Sequence, residues 1–125
     1  MTEPTSSPAL RVALAYYRAW TSKNIDQAMA YVAADIVCDA PAGRLEGAAA
    51  YREFLTPLVR MLIGAELVAA YGDDERALVM YDTETTLVRS GPGAECVTVE
   101  DGKITYSRFV FDRVPFAAAR AERRG

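Results

Sequence analysis

The second half of the sequence consists of strand-like segments with no helical pattern between them. Four apolar stretches follow one another, at residues 66–71, 77–88, 94–99 and 103–114. Clusters of turn-forming residues separate them, namely Gly72-Asp73-Asp74, Ser90-Gly91-Pro92-Gly93 and Asp101-Gly102. Strands joined by such short turns pair with their neighbours in the chain. We therefore expect a four-stranded antiparallel meander.

The first half of the chain carries helical patterns instead. Ser7 followed by Pro8 is typical of a helix start, and a capping box at Asn24 predicts a second helix. A short strand is predicted at residues 35–40, followed by a third helix over residues 47–63. The predicted fold class is therefore α+β, with three N-terminal helices packed on one face of a curved antiparallel sheet.

Length and charge narrow the class of protein. With 125 residues the chain is expected to form a single domain over 1–125, with loose ends at about 1–7 and 117–125. A net charge of -3 argues against a nucleic-acid partner, which needs a concentrated basic face. We expect the basic residues near the C-terminus, Arg120, Arg123 and Arg124, to belong to a solvated tail.

The sequence also lacks a predicted signal peptide, a predicted membrane span and histidine, which limits the expected location of the protein and its possible chemistry. No signal peptide and no membrane span are predicted, so the expected location is the cytoplasm, with no membrane partner. Cys38 and Cys96 are then expected to be buried free thiols. The sequence contains no histidine, so we expect no metal and no cofactor, and chemistry based on carboxylates, tyrosines and arginines.

The Asp101-Gly102 turn decides which residues of the last hairpin face inward. A two-residue loop would pair Glu95 with Arg108 as a cross-strand ion pair. A three-residue loop shifts the pairing, so that Glu95 shares a face with Ser107 and Phe109. We favour the second register because it groups the apolar residues together.

Two carboxylates interrupt the apolar strands. Asp82 and Glu95 are both expected to face the core, where an unpaired carboxylate is costly, so each needs a partner or a function. Val79 and Tyr81 lie on the opposite face of the same strand from Asp82. Because that face is also apolar, we expect a homodimer through the outer side of the sheet, near Val79, Tyr81, Tyr106 and Arg108.

The order of elements resembles a known superfamily, the nuclear transport factor 2-like proteins, and within it the SnoaL-like branch. The resemblance covers Val12 to Phe116 and implies a cystatin-like cone. The segments that carry it are Tyr16-Tyr17-Arg18-Ala19-Trp20, Asp35-Ile36-Val37-Cys38-Asp39-Ala40-Pro41, Glu46-Gly47, Tyr51-Arg52-Glu53-Phe54, Asp101-Gly102-Lys103-Ile104 and Phe109-Val110-Phe111-Asp112. They are signatures of a fold that hosts many reactions.

The resemblance also implies a set of site residues. Tyr16 and Glu95 match the tyrosine and the carboxylic acid that stabilise an oxyanion in ketosteroid isomerase-like members. The position of the base is Ala40, so Asp82 or the neighbouring Asp39 would have to take the proton. The expected pocket wall consists of Trp20, Phe54, Met80, Val97, Phe109 and Phe111.

Two classes of function remain open at this point. One is a cofactor-independent isomerase, cyclase or hydrolase that acts on an apolar polyketide-, terpenoid- or steroid-like compound. The other is a non-catalytic ligand-binding or dimerisation module with the same cone. The pocket carboxylates favour the enzyme, and the missing base favours the module.

Overall fold

The structure, a computed structural model, describes residues 7–124. This part of the chain forms four helices and six strands: α1 (Pro8–Thr21), α2 (Ile25–Met29), β1 (Val32–Ala40), β2 (Gly43–Glu46), α3 (Ala48–Met61), β3 (Leu62–Gly72), β4 (Arg76–Thr85), β5 (Gly91–Glu100), β6 (Lys103–Phe111) and α4 (Val114–Arg124). The α+β class and the three N-terminal helices are as expected.

The first two helices begin where their capping residues predict. The Ser7 side chain accepts a hydrogen bond from the Leu10 N–H at 3.2 Å. The Asn24 side chain accepts one from the Gln27 N–H at 3.0 Å and donates to the Gln27 side chain. Each cap satisfies a backbone donor that has no partner inside its helix.

The six strands form one curved sheet in the order β2-β1-β6-β5-β4-β3. Strands β3 to β6 are the expected antiparallel meander. The sheet is mixed, however, because β1 pairs with β6 in parallel and carries β2 as an antiparallel hairpin. Strand β2 is not among the predicted elements.

Helices α1 and α3 pack on the concave side of the sheet. Helix α1 lies against β3, β4 and β5, and α3 lies against β1, β2 and α2. The largest fully buried side chains include Trp20 from α1, Tyr51 and Leu55 from α3, and Tyr81 from β4. Three of these four are aromatic and two of them carry a hydroxyl, so polar groups lie deep in the core.

The structure confirms the prediction of which residues in the last hairpin face the core. Glu95 pairs with Phe109 and Val97 with Ser107, and all four are buried. The turn itself has two residues, with Asp101 at φ 51° and Gly102 at φ 76°, instead of the expected three. A bulge between the Thr98 and Val99 pairs supplies the shift by one residue.

The expected orientation of β4 is wrong. Val79 and Tyr81 are buried in the core, whereas Met80 and Asp82 are exposed on the outer face. The two faces carry similarly apolar residues at positions 77–81, so alternation alone does not distinguish them. Asp82 and Glu84, two residues apart, both reach solvent on the outer face, which avoids the cost of burying two carboxylates.

The expectations for the C-terminal end and for one cysteine are also wrong. Residues 117–124, predicted as a loose end, belong to α4. Residues 1–6 of the other predicted loose end lie outside the described part of the chain. Both cysteines are free thiols as expected, but only Cys38 is buried, while Cys96 is exposed on the outer face.

Candidate functional site

Glu95 is a buried acid at the centre of a hydroxyl cluster. Its side chain is only 4% exposed, on the inner face of β5. Tyr51 and Ser107 donate hydrogen bonds to its Oε2 at 3.3 and 3.2 Å, and Tyr81 donates to its Oε1 at 3.3 Å. One helix and two neighbouring strands thus supply three donors to one carboxyl group.

A fourth hydroxyl extends the cluster towards α1. The Tyr16 and Tyr51 hydroxyls are hydrogen-bonded to each other, and both rings are buried. Because the single Tyr51 proton is directed at Glu95, Tyr16 must be the donor to Tyr51. The result is a chain of donors that runs from Tyr16 through Tyr51 to Glu95.

Burial changes the acidity of the whole cluster. It raises the pKa of Glu95 from 4.5 to about 7, even though the hydrogen bonds from Ser107, Tyr51 and Tyr81 favour the charged form. Burial, together with the nearby Glu95 carboxylate, also raises the pKa of Tyr16, Tyr51 and Tyr81 well above the ordinary value. Glu95 is therefore the member of the cluster that gains or loses a proton near neutral pH, and the tyrosines stay protonated.

A cavity of about 240 Å³ lies next to this cluster. Its lining residues come from α3, β4, β5, β6, α4 and the short connection between β6 and α4: Phe54, Pro57, Leu58, Met61, Tyr81, Thr83, Gly91, Pro92, Gly93, Phe109, Phe111, Arg113, Phe116, Ala117 and Arg120. Tyr81 belongs both to this lining and to the hydrogen bonds of Glu95. It is the residue that connects the cavity with the buried acid.

Two glycines leave room for the floor of the cavity. A Cβ on Gly93 would lie 3.0 Å from the Tyr81 ring, and one on Gly91 would lie 3.1 Å from the Thr83 hydroxyl oxygen. Both distances are tighter than nine in ten real Cβ contacts, so a side chain at either position would push its neighbour away by a few tenths of an ångström. Gly93 thus allows the Tyr81 ring to lie across the neighbouring strand, between Glu95 and the cavity.

Part of the expected site is assembled by the structure. Tyr16 and Glu95 lie in the hydroxyl cluster, and Phe54, Phe109 and Phe111 line the cavity. Trp20 and Val97 are buried instead in the core beside the cluster: Trp20 packs against Tyr81 with ring centroids 5.2 Å apart, and Val97 borders a small void beside Glu95.

Three of the expected site residues lie on the outer face of the sheet. Met80 is 43% exposed and Asp82 is exposed, both facing away from Glu95. Asp39 pairs with Arg44 at 2.9 Å and accepts a hydrogen bond from Tyr106. These hydrogen bonds lower the pKa of Asp39, Arg44 first and Tyr106 second. The expectation that Asp82 shares a face with Glu95 is therefore wrong, and Asp39 is held as an ionised partner of Arg44.

Sequence reasoning missed several residues of this region, among them Tyr51, Tyr81, Gly93, Ser107 and Phe116. The register favoured from the sequence puts Ser107 on the face of Glu95 but gives it no role, and the expected orientation of β4 puts Tyr81 on the wrong face. The glycines of Gly91-Pro92-Gly93 were interpreted as a turn, although they lie in strand β5. The signal that could have identified Tyr81 is the register, which places it opposite Gly93.

The described residues include no group of three or more cysteine, aspartate or glutamate side chains that could hold a metal ion. None of the helices in the described part of the chain is both long and apolar enough to cross a bilayer. The chemistry available at this site is that of a buried acid, hydroxyl donors and an apolar cavity.

These features define a class: an α+β cone with a ligand-sized cavity between its sheet and helices. The chain belongs to the SnoaL-like domain family, whose family model matches residues 13–107. This match confirms the expected resemblance to SnoaL-like proteins. A protein from Cytophaga hutchinsonii described as NTF2-like has a similar fold, at 18% identity, 85% and 91% coverage and a TM-score of 0.70.

Solved structures extend the comparison. The chain is 53% identical to a protein from Kribbella flavida, with 93% of this chain and 96% of that chain covered and a TM-score of 0.91. It is similar in fold to a putative polyketide cyclase from Xanthomonas campestris, at 22% identity, 90% and 96% coverage and a TM-score of 0.73. An epoxide hydrolase of LEH-like type from M. tuberculosis shares 19% identity, with 92% and 90% coverage and a TM-score of 0.71. No protein with a curated description matches the sequence significantly.

Proposed function

We propose that the protein binds an apolar small molecule in the cavity and transfers a proton to or from it through the Tyr81 hydroxyl. Glu95 is the group whose protonation state changes. The reaction class is a cofactor-independent isomerisation, cyclisation or hydrolysis of a polyketide-, terpenoid- or steroid-like compound. The observation that carries the proposal is that Tyr81 both lines the cavity and hydrogen-bonds to an acid whose pKa is about 7.

The number of protons in the cluster determines when Tyr81 can donate one to a ligand. When Glu95 is ionised, Tyr81 donates its proton to the carboxylate and has none to offer a ligand. When Glu95 is neutral, its O–H donates to the Tyr81 oxygen, and the Tyr81 O–H is released towards the cavity. Transfer of that proton to a ligand oxygen, with the Glu95 proton moving to Tyr81, leaves a protonated ligand and an ionised Glu95. The reverse sequence removes a proton.

The environment suits such a step. A pKa close to the operating pH is favourable for a general acid or base. The apolar lining, which includes Phe54, Phe109 and Phe111, keeps the local dielectric low and strengthens a hydrogen bond to developing charge. The putative polyketide cyclase and the LEH-like epoxide hydrolase, which have a similar fold, support the general class of substrate.

A ligand with a carbonyl group can report whether the Tyr81 O–H is donated to the cavity, even though the substrate is unknown. We expect 2-acetylnaphthalene bound in the cavity to show a C=O stretch that moves to lower frequency below about pH 7, when Glu95 is neutral. Tyr81→Phe should abolish the shift. Glu95→Gln should show it at every pH, because the amide N–H₂ can replace the acid proton as donor to Tyr81.

Tyr51→Phe is the matched control. It removes a hydrogen bond to Glu95 of the same 3.3 Å length, but Tyr51 does not belong to the cavity lining. The pH-dependent shift of the C=O stretch should survive in this variant, with its midpoint moved upward because the carboxylate has lost a donor. An identical C=O stretch in the unmodified protein and in Tyr81→Phe would overturn the proposed step.

A non-catalytic binding module is the alternative. It is favoured by the position of Asp82 and Asp39, since neither carboxylate lies in the described lining of the cavity. In that case the ketone would bind, but its C=O stretch would not change with pH.

A further inference from the structure

The charged lining of the cavity has one sign only. Among the described residues, Arg113 and Arg120 are the charged side chains that line it, and no aspartate or glutamate does. The whole chain has 17 acidic and 14 basic residues, so this bias is opposite to the overall charge. Neither arginine forms an ion pair within the described part of the chain, where the ion pairs are those of Arg44 with Asp39 and Arg52 with Asp26.

The two arginines lie at the start of α4 and within it. Arg113 directly precedes the helix, and its carbonyl accepts a hydrogen bond from the Ala117 N–H at 3.0 Å, as an N-cap residue does. Arg113, Ala117 and Arg120 then follow each other at spacings of four and three residues, which places them on one face. All three line the cavity, and Ala117 fills little of the space between the arginines.

The start of α4 is anchored to the cavity and is not a freely solvated tail. Phe116, next to Ala117, is only 6% exposed and packs against Phe111 with ring centroids 5.6 Å apart. A Cβ at Gly91 would contact the Phe116 ring at 3.6 Å, so the ring lies directly over the floor of the cavity. This buried aromatic contact holds the start of α4 at the rim of the cavity, where Arg113 and Arg120 are exposed to solvent.

We infer that the cavity takes an apolar organic acid, whose carboxylate is bound at the rim by Arg113 and Arg120 while its apolar body lies against the phenylalanines. The inference rests on the proposed small-molecule function of the cavity and specifies its substrate class. A guanidinium group binds a carboxylate through parallel hydrogen bonds, and a charge-assisted bond is about twice as strong as a neutral one. The positive rim would also attract an anion from solution, despite the negative net charge of the protein. With the carboxylate at the rim, the opposite end of the ligand lies towards Tyr81.

Two probes of the same shape test this inference. We expect 2-naphthoate to bind at least about tenfold more tightly than the neutral 2-naphthamide by isothermal titration calorimetry at low salt. The double variant Arg113→Gln/Arg120→Gln should remove this preference and leave the affinity for the amide unchanged. Added salt should weaken binding of the acid only.

Arg108→Gln is the matched control. It removes the same charge from an exposed arginine that lies on β6 but outside the cavity lining, and the preference for the acid should persist. If the amide binds and the acid is not preferred, the inference is wrong and the proposed pocket function stands. Failure of both probes to bind would overturn both. Circular dichroism establishes that each variant is folded.

Discussion

At the scale of single residues, Glu95 makes the stability of the protein depend on pH. The folded state keeps the proton of Glu95 up to about pH 7, whereas an ordinary glutamate releases it near 4.5. The folded state therefore binds more protons between these values, and stability falls as the pH rises through this window. A shift of this size corresponds to about 3 kcal/mol of lost stability above pH 7.

Glu95→Gln should remove this loss. We expect the variant and the unmodified protein to have similar free energies of unfolding near pH 4.5. Near pH 8.5 the variant should be more stable, by roughly 3 kcal/mol, because a neutral amide has no charge to bury. Urea denaturation of both proteins across this range measures the difference, in which the contributions of all other carboxylates cancel.

Tyr16→Phe provides a control for this prediction. It removes a hydroxyl that is in the cluster but does not contact Glu95 directly. The pH dependence of its stability should stay close to that of the unmodified protein. If Glu95→Gln and the unmodified protein lost stability in parallel from pH 4.5 to 8.5, Glu95 would not be the titrating group.

The two candidate carboxylates show what residue patterns can and cannot predict. Glu95 alternates with Val97 and Val99 on one face, so its burial followed from a period of two. Asp82 also alternates with its neighbours, but the next residue on its face is Glu84, and burial of two carboxylates would cost more free energy than their exposure. The positions of the carboxylates in β4 therefore indicate its outer face, whereas the positions of its apolar residues do not. The proximity of Tyr51 and Tyr81 to Glu95 needed the packing of α3 on the sheet, which local patterns do not specify.

At the scale of secondary-structure elements, α4 closes the cavity through one buried side chain. We expect Phe116→Ala to loosen α4, because replacement of a buried phenylalanine costs about 3–5 kcal/mol in well-packed sites. Much of this loss of stability should be local, with α4 detaching while the sheet stays folded, because the strands are held together by their own pairing and by the other helices. Amide hydrogen exchange should therefore accelerate in α4 and stay slow in β5, and 2-naphthoate should bind more weakly.

Val114→Ala is the control for this prediction. Val114 begins the same helix and is 73% exposed, so its truncation should change stability by less than about 0.5 kcal/mol. Equal exchange rates in α4 for Phe116→Ala and the unmodified protein would show that the helix is held by other contacts.

The elements that the sequence did not predict share a physical cause. Strand β2 has four residues and lies at the edge of the sheet, with β1 as its one neighbouring strand, so it carries little periodic signal of its own. Among the side chains of α4 that the structure describes, Phe116 is the buried one, and the end of the helix is rich in charged residues, a pattern that also fits a solvated tail. The capped helices and the meander, in contrast, carry local turn and capping signals and were predicted correctly.

At the scale of the whole molecule, the outer face of the sheet carries an apolar row that none of the first three helices covers. Register places Ala69, Met80, Ala94 and Val110 side by side across β3, β4, β5 and β6. Leu78, Met80 and Val110 are 48%, 43% and 53% exposed. We name Leu78, Met80, Ala94 and Val110 the outer patch. It replaces Val79 and Tyr81, which lie in the core, as the surface for the expected homodimer.

We propose that two copies of the chain associate through the outer patch. A contact of this kind is self-complementary, because a two-fold axis brings the same apolar row of each copy together. The unmodified protein should sediment as a dimer at micromolar concentration, and Met80→Glu should sediment as a monomer, because it buries like charges on both sides of the axis. Val114→Glu, which changes an exposed residue away from the sheet, should remain dimeric.

The monomeric variant should keep its affinity for 2-naphthoate, since Met80 and the cavity lie on opposite faces of the sheet. A single monomeric species of the unmodified protein at these concentrations would contradict the proposed association.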